Sequence, residues 1–397
     1  MKTLCRIVAG VVIGVGLSVG SLADDSTTVS QLRAMLDRVP SEAAFTQSGW
    51  ATVRFVDFEA LFESEGLSLV RALGSLDLLM SSVPLGSVLG RIVAGPEVLT
   101  YLFVSTGQMA DVVGFEWLLD VDCSLEFGDP PGVGLLLGGN FDAEGIGATL
   151  ESRGFSLADI QGVPVWHRFD DLAVSLAARN TADPFGGHLG AAARIALLPD
   201  ALANARAWQL IEAVISASHG TEMSLADDPA YRALAEAVSG PDGVLIQALF
   251  FSGTAFRSPG DPAETGHEPN NDLAPLPQYS LAVLADRQEG EDQVHLIGLA
   301  CPDEPTARTA ADVLARRVEE FHPTSGSGDV LVDRFGATVR NREVGQTRDG
   351  VAIVVVEARY PLPEERTDPE TGLYDTRGLL FRAWVQAILR REFTPLW

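Results

Sequence analysis

Lysine occurs once, at Lys2, and nowhere else in the chain. That omission excludes three chemistries: a Walker phosphate loop needs its lysine, a pyridoxal enzyme its Schiff-base lysine, and a Ser-Lys hydrolase its base. Positive charge is scarce altogether, with 28 Lys and Arg against 54 Asp and Glu and a formal net charge of -26. A surface of that sign does not bind nucleic acid non-specifically, because it has no cations to displace phosphate counterions. The same charge argues against docking on anionic lipid heads.

Histidine spacing is equally restrictive. No two of His167, His188, His219, His267, His295 and His322 are three or four residues apart, so there is neither an H-E-x-x-H motif nor a helical zinc pair. His295 alternates within a strand-like run and reads as a surface or cross-strand residue. Acidic pairs are common, but no stretch matches the alternating acids and glycine of a calcium loop. Gly132-Val133-Gly134 lacks the third glycine of a dinucleotide loop and precedes a strand instead of following one. The G-x-S-x-G match at 16–20 has no strand before it, and Asp368 to Tyr374, which resembles the opening of a diguanylate-cyclase domain, has only 23 residues after it. No catalytic, cofactor or metal residue is assigned, and no cofactor is implied.

Long hydrophobic runs are missing too. Leu67 to Val104 is strongly apolar but interrupted by Arg71, Asp77, Arg91 and Glu97, and its longest uncharged run, Leu78 to Gly90, is too short for a membrane span. It is expected to form short buried helices; the competing reading is a surface that accepts a lipid or an apolar partner. Cysteine is limited to Cys5, Cys123 and Cys301. Cys123 and Cys301 would close a loop of about 180 residues if paired, worth roughly 4–5 kcal/mol on the chain-entropy model. The alternative is two unpaired thiols in separate cores.

What is present begins with an export signal. Lys2 and Arg6 precede the uncharged stretch Ile7 to Gly20, and Ser21-Leu22-Ala23 supplies small residues for cleavage after Ala23. The expected location is therefore periplasmic or extracellular; retention of the segment as an anchor is the alternative, and the one route to a membrane. Hydrophobic residues make up 46% of the chain, enough for a sizeable core, and 397 residues predict two domains. The division falls at 257–278, a stretch broken by Pro259, Pro262, Pro269, Pro275 and Pro277 and read as a linker or long loop. It separates an N-terminal domain, 24–256, from a C-terminal one, 279–397. A second irregular stretch, Pro361 to Thr376, precedes the last helix.

A local pattern recurs, in which a strand is followed by Asp and then by an amphipathic helix. Asp57, Asp142, Asp200 and Asp303 occupy the expected helix N-cap position, and Asp227-Asp228 before Pro229 reads the same way. The C-terminal part reads β-β-α-β, close to half of a ferredoxin-like split βαβ sandwich. The fold class is thus α+β with mixed or antiparallel sheets. In the segment Arg377 to Phe393, Leu380, Trp384 and Ile388 share one helical face. That face either packs on the C-terminal sheet or docks a partner. The densest polar cluster beside a strand is His167-Arg168 with Asp170-Asp171, read as the solvated end of a hairpin.

Two stretches carry a resemblance. Ser224-Leu225-Ala226-Asp227-Asp228-Pro229-Ala230-Tyr231-Arg232-Ala233-Leu234, leading into the strand Val244 to Phe251, resembles a phrase in uncharacterised exported bacterial proteins. Gly162-Val163-Pro164-Val165-Trp166 is similar to another phrase of the same proteins. The resemblance spans about a third of the chain, implies an exported α+β protein, and carries over no functional residue. The sequence therefore points to a non-catalytic cell-envelope protein that binds a protein or ligand partner. The competing class is a secreted hydrolase whose carboxylates come together only in the fold.

Overall fold

The computed structural model describes residues 30–44, 52–82, 85–96, 99, 107–253, 276–323, 330–347, 349–361, 377–390 and 392–396. The expected export signal at 1–23, most of the expected linker at 257–278, all but the first residue of the irregular stretch at 361–376 and Trp397 lie outside them.

Twelve strands form one sheet. They are β1 Thr52–Asp57, β2 Val121–Gly128, β3 Gly134–Gly139, β4 Ser156–Ile160, β5 Val163–Arg168 and β6 Ala193–Leu197, then β7 Ala201–Ala205, β8 Val244–Ser252, β9 Leu281–Glu289, β10 Asp292–Cys301, β11 Thr338–Gln346 and β12 Ala352–Pro361. Their order across the sheet is β11-β12-β10-β9-β8-β1-β2-β3-β7-β6-β5-β4. Every neighbouring pair is antiparallel. Strand β12 lies between β10 and β11, which the helix Glu304–Glu319 links in parallel, so the split βαβ unit is present within an α+β fold.

The division at 257–278 falls between β8 and β9, and these two strands pair side by side from Val244↔Gln288 to Ser252↔Leu281. Both halves of the sequence therefore build one sheet. They also share one core: Leu32, Phe55 and Phe250 cluster with Val283, Leu296 and Val355. Period-2 alternation explains how, since successive side chains in each strand serve opposite faces. The face bearing Phe55, Phe250 and Val283 is covered by the helices Gln31–Leu36, Trp208–Ser218 and Pro229–Val238. On the other face Glu304–Glu319 and Leu379–Leu389 cover the C-terminal strands. Phe58–Ser64 and Ala143–Ser152 cover the N-terminal ones.

Three of the four expected Asp caps hold their helices. Asp57 accepts from the Ala60 amide at 2.8 Å, Asp142 from Glu144 at 3.2 Å and Asp303 from Thr306 at 2.8 Å. Asp228 does the same for Ala230 at 2.7 Å, before Pro229 at the first helical position. Asp200 does not cap: it pairs with Arg38 at 2.6 Å in the turn between β6 and β7. The Leu67 to Val104 stretch forms the short helices Ser68–Ala72, Leu76–Ser82 and Leu85–Gly90, with Leu67, Leu79, Val88 and Leu89 buried. Leu69, Leu73, Leu78 and Met80 are exposed, so the expectation of uniformly buried helices holds for half of these positions only.

Between the two apolar clusters of the second face lies a buried polar network. Arg91 Nε and Nη2 donate to the two carboxylate oxygens of Asp286, each at 2.8 Å, and both side chains are at most 1% exposed. Gln247 Nε2 donates to Asp286 at 3.1 Å and to the Arg91 carbonyl at 2.8 Å, while its Oε1 accepts from the Val93 and Ala94 amides. His295 sits 3.4 Å from Asp286 and 3.3 Å from the Tyr360 hydroxyl, which donates to Gln293 at 2.5 Å. The Gly378 amide completes the chain by donating to the same Gln293 oxygen. Burial opposes ionisation of Asp286, but the Arg91 guanidinium outweighs it and holds the carboxyl well below the usual range. Burial likewise pulls His295 below its ordinary value, against the pull of Asp286, so the imidazole is neutral at pH 7.

Two outcomes follow from this network. Arg91→Met strands a buried carboxylate and lowers the unfolding free energy by about 3–5 kcal/mol, and adding Asp286→Leu recovers most of the loss, both read by urea denaturation. The unfolded chain takes up a proton at His295 below about pH 6.5 that the native state refuses, so stability falls as pH drops through that value. His295→Gln shrinks this slope between pH 7 and 5 in the same measurement.

Candidate functional site

The site grows from the end of β5. Val163 and Val165 point into the core, His167 continues their face, and Trp166 and Arg168 take the other. Beyond Arg168 the chain turns sharply, with Phe169 and Leu172 at positive φ of 66° and 59°. Side chains rarely adopt that conformation, and such strain persists only where the surroundings hold it.

The surroundings are specific. Arg194 stands opposite His167 across the β5–β6 ladder, and its Nη2 donates to the Phe169 carbonyl at 2.8 Å and meets Asp171 at 2.7 Å. The Asp171 carboxylate accepts from the Trp208 amide at 3.2 Å, which places it at the start of the helix Trp208–Ser218. Asp171 thus supplies the N-terminal partner expected from Asp200. The Trp208 ring lies 5.2 Å from the Arg194 guanidinium and 5.0 Å from the His167 ring.

Below them Arg153 donates to the Val112 carbonyl and to buried Asp183, both at 2.7 Å. Arg168 is different. Its guanidinium lies over the rings of Phe155 and Phe169 at 4.6 and 4.9 Å, and its nearest carboxylate oxygen, on Asp183, is 3.7 Å away. Its Nε is buried and meets no acceptor among the described residues. Burial pulls the group below the ordinary guanidinium value, with Asp183 opposing, yet an arginine in this range stays charged at neutral pH. His167 makes no hydrogen bond through its ring among the described residues, and burial together with Arg194 lowers its pKa.

These side chains line an open cleft of about 790 Å³. The end of β5 is solvent-exposed from Phe169 to Leu172, as the sequence suggests, and Arg194, Arg153 and Trp208, brought in from other elements, give it a concave wall. No sequence signal announces them, because the β5–β6 register decides which residues meet. Ser156 lies opposite His167 across the ladder, but no hydrogen bond joins the two side chains. Asp171 and Asp183 are engaged by arginines, leaving Asp170 on the rim. The cleft offers hydrogen-bond donors and aromatic faces, the chemistry of anion recognition.

The two other sequence candidates lie elsewhere. Leu380, Trp384 and Ile388 are buried against the C-terminal half of the sheet, so this helical face is occupied by the chain itself and is not free to dock a partner. Cys123 and Cys301 are free, buried thiols. They sit on opposite faces of β2 and β10, four strand spacings or roughly 19 Å apart, far beyond the reach of a disulfide. Burial pushes the Cys123 thiol up to about 12 and the Cys301 thiol up to about 11. Among the described residues no cluster of His, Cys, Asp and Glu could hold a metal, and no helix is long and apolar enough to cross a membrane.

No family model and no curated relative matches the chain. Among solved structures, crystal form III of TP0453 superposes with a TM-score of 0.36 at 9% identity, covering 82% of this chain and 93% of that one. Crystal form I gives 0.35 at 8% identity, covering 82% and 92%. A likeness at this level assigns neither fold nor function.

Thiol labelling without reductant provides a direct check. Native protein should leave Cys123 and Cys301 unmodified by a maleimide, and both should label fully in 6 M urea (about that concentration suffices to unfold an ordinary domain), as read by peptide mass.

Proposed function

We propose that this protein is an exported, non-catalytic cell-envelope protein that captures an anionic ligand in the cleft at the end of β5 and β6. One observation carries the reading. Arg168 is a partly buried guanidinium stacked on Phe155 and Phe169, and its donors have no acceptor within hydrogen-bond distance among the described residues. A buried donor left unmade is costly, and a planar fork fits a carboxylate or phosphate in two-point contact. His167 adds a second unengaged donor beside it. The carboxylates of the cleft do not support a hydrolase, since Asp171 and Asp183 already hold Arg194 and Arg153 in place.

Calorimetric titration with benzoate, and separately with inorganic phosphate, tests this. Arg168→Gln removes a charged donor worth about 1.5–3 kcal/mol and should weaken binding tenfold or more while leaving the melting temperature nearly unchanged. Unaltered affinity in that variant would overturn the assignment. Affinity should also rise as pH falls below about 6.5, because an anion in the cleft favours protonated His167.

A further inference from the structure

We infer that the ligand of this cleft is a single-chain anionic amphiphile, its charged head on Arg168 and its apolar tail along the loop that joins β5 to β6. The inference rests on the anion reading and adds the identity of the rest of the ligand.

That loop, 169–192, is built as an irregular hairpin. Val174 bridges Ala191, and the Ser175 amide donates to the Gly190 carbonyl at 2.9 Å. Beyond this pair Leu176 opens the short turn Leu176–Ala178, and Leu189 lies in the returning arm next to Gly190. Gly190 is required at its position: its φ is +65°, and a Cβ there would come within 2.0 Å of the Ser175 carbonyl oxygen. The hairpin therefore holds its register closely.

Large apolar side chains stand exposed along the hairpin, beside exposed Asp170, Asp171 and Arg179. Val174 is 51% exposed, Leu176 72% and Leu189 42%, and Phe169 and Leu172 are open to solvent at the hairpin's start. Isolated exposed leucines need no explanation, but five large apolar side chains exposed on one loop form a candidate surface. The strip joins the cleft at both ends of its first strand: Phe169 lines the cleft, and so does Ala178, in the turn that begins at Leu176. Phe169 belongs to both, placing one ring edge toward solvent while its face receives the Arg168 guanidinium. An apolar strip that ends at a cation with no hydrogen-bonded acceptor among the described residues is complementary to a molecule with a hydrocarbon tail and one anionic head. The cleft volume is in the range that takes a molecule of that size. The net charge of -26 favours a monomeric amphiphile taken from solution over an anionic membrane surface.

The test titrates the full chain with decanoate, acetate and decanol, each below the micellar range, by calorimetry. Decanoate should bind at least tenfold more tightly than either acetate, which keeps the head, or decanol, which keeps the tail. Leu176→Ser with Leu189→Ser should reduce decanoate to the affinity of acetate and leave acetate unchanged; both positions are exposed, so folding is not at stake. Arg168→Gln should weaken both carboxylates. Equal affinity for acetate and decanoate, or decanoate binding indifferent to the double serine variant, would overturn the amphiphile while the anion site stands. Carboxylate binding indifferent to Arg168→Gln would overturn both readings. Self-association in sedimentation that the double variant abolishes, or co-sedimentation with phosphatidylglycerol vesicles, would assign the strip to a second copy or to a membrane and likewise overturn the proposal.

Discussion

A fully buried pair of a guanidinium and a carboxylate decides how the second face of the sheet is closed. Asp286 lies inward on β9, the fourth of twelve strands across the sheet, where helices covering the two halves meet. The segment after Arg91 crosses this seam: Ile92 packs into the N-terminal cluster, and Val93 and Ala94 pack into the C-terminal one. A crossing backbone carries amides that no strand can satisfy, and Gln247 accepts both. Gly378 enters the same seam at φ +81°, where a Cβ would press on Arg91 at 2.9 Å, and from there the final helix Leu379–Leu389 starts. One ion pair thus fixes the approach of two distant segments. Desolvating both charges is expensive, so its contribution is less to net stability than to uniqueness: removing either partner is far worse than never having had both.

How much of this was readable without coordinates differs from element to element. Strands rich in β-branched residues, such as Val351 to Ala358, and helices announced by Asp57, Asp142 and Asp303 were legible because strand alternation and capping are local physics. Asp200 misled because Ala201–Ala205 is an alanine-rich strand with no strand signature of its own, and the true partner of the following helix, Asp171, lies 37 residues upstream of Trp208. The Pro-rich stretch at 257–278 reads as a domain boundary by composition, yet β8 and β9 on either side of it are neighbours in one sheet. Pairing partners are long-range facts, and composition does not encode them. The amphipathic face of Leu380, Trp384 and Ile388 illustrates the same limit. Amphipathicity states that a face is covered but not by what, and here the covering surface is the chain's own sheet.

The candidate site sits on the boundary between these two kinds of information. His167, Arg168, Asp170 and Asp171 are contiguous and stood out as a polar cluster. Arg153, Arg194 and Trp208, which make that cluster concave, arrive from a helix end, a neighbouring strand and a helix start. Two residues forced into left-handed backbone conformations, Phe169 and Leu172, mark where local preference yields to the surrounding contacts.

A chain with twice as many acids as bases is a poor host for an anion, and the proposed site answers this by distance. At physiological ionic strength the Debye length is about 8 Å, so exposed carboxylates scattered over the surface act feebly inside the cleft. What acts there is within a few ångströms. Asp183 is buried but bound by Arg153, and Asp171 is bound by Arg194, while Asp170 stays on the rim. Arg168 meets Asp183 only at 3.7 Å, with no hydrogen bond, and the rings of Phe155 and Phe169 replace part of its water with a polarisable, low-dielectric surface. An anion that reaches it meets a charge less screened than any on the protein's outside. The same desolvation that lowers the arginine's proton affinity raises the gain from pairing it, and this lets one guanidinium work against a net charge of -26.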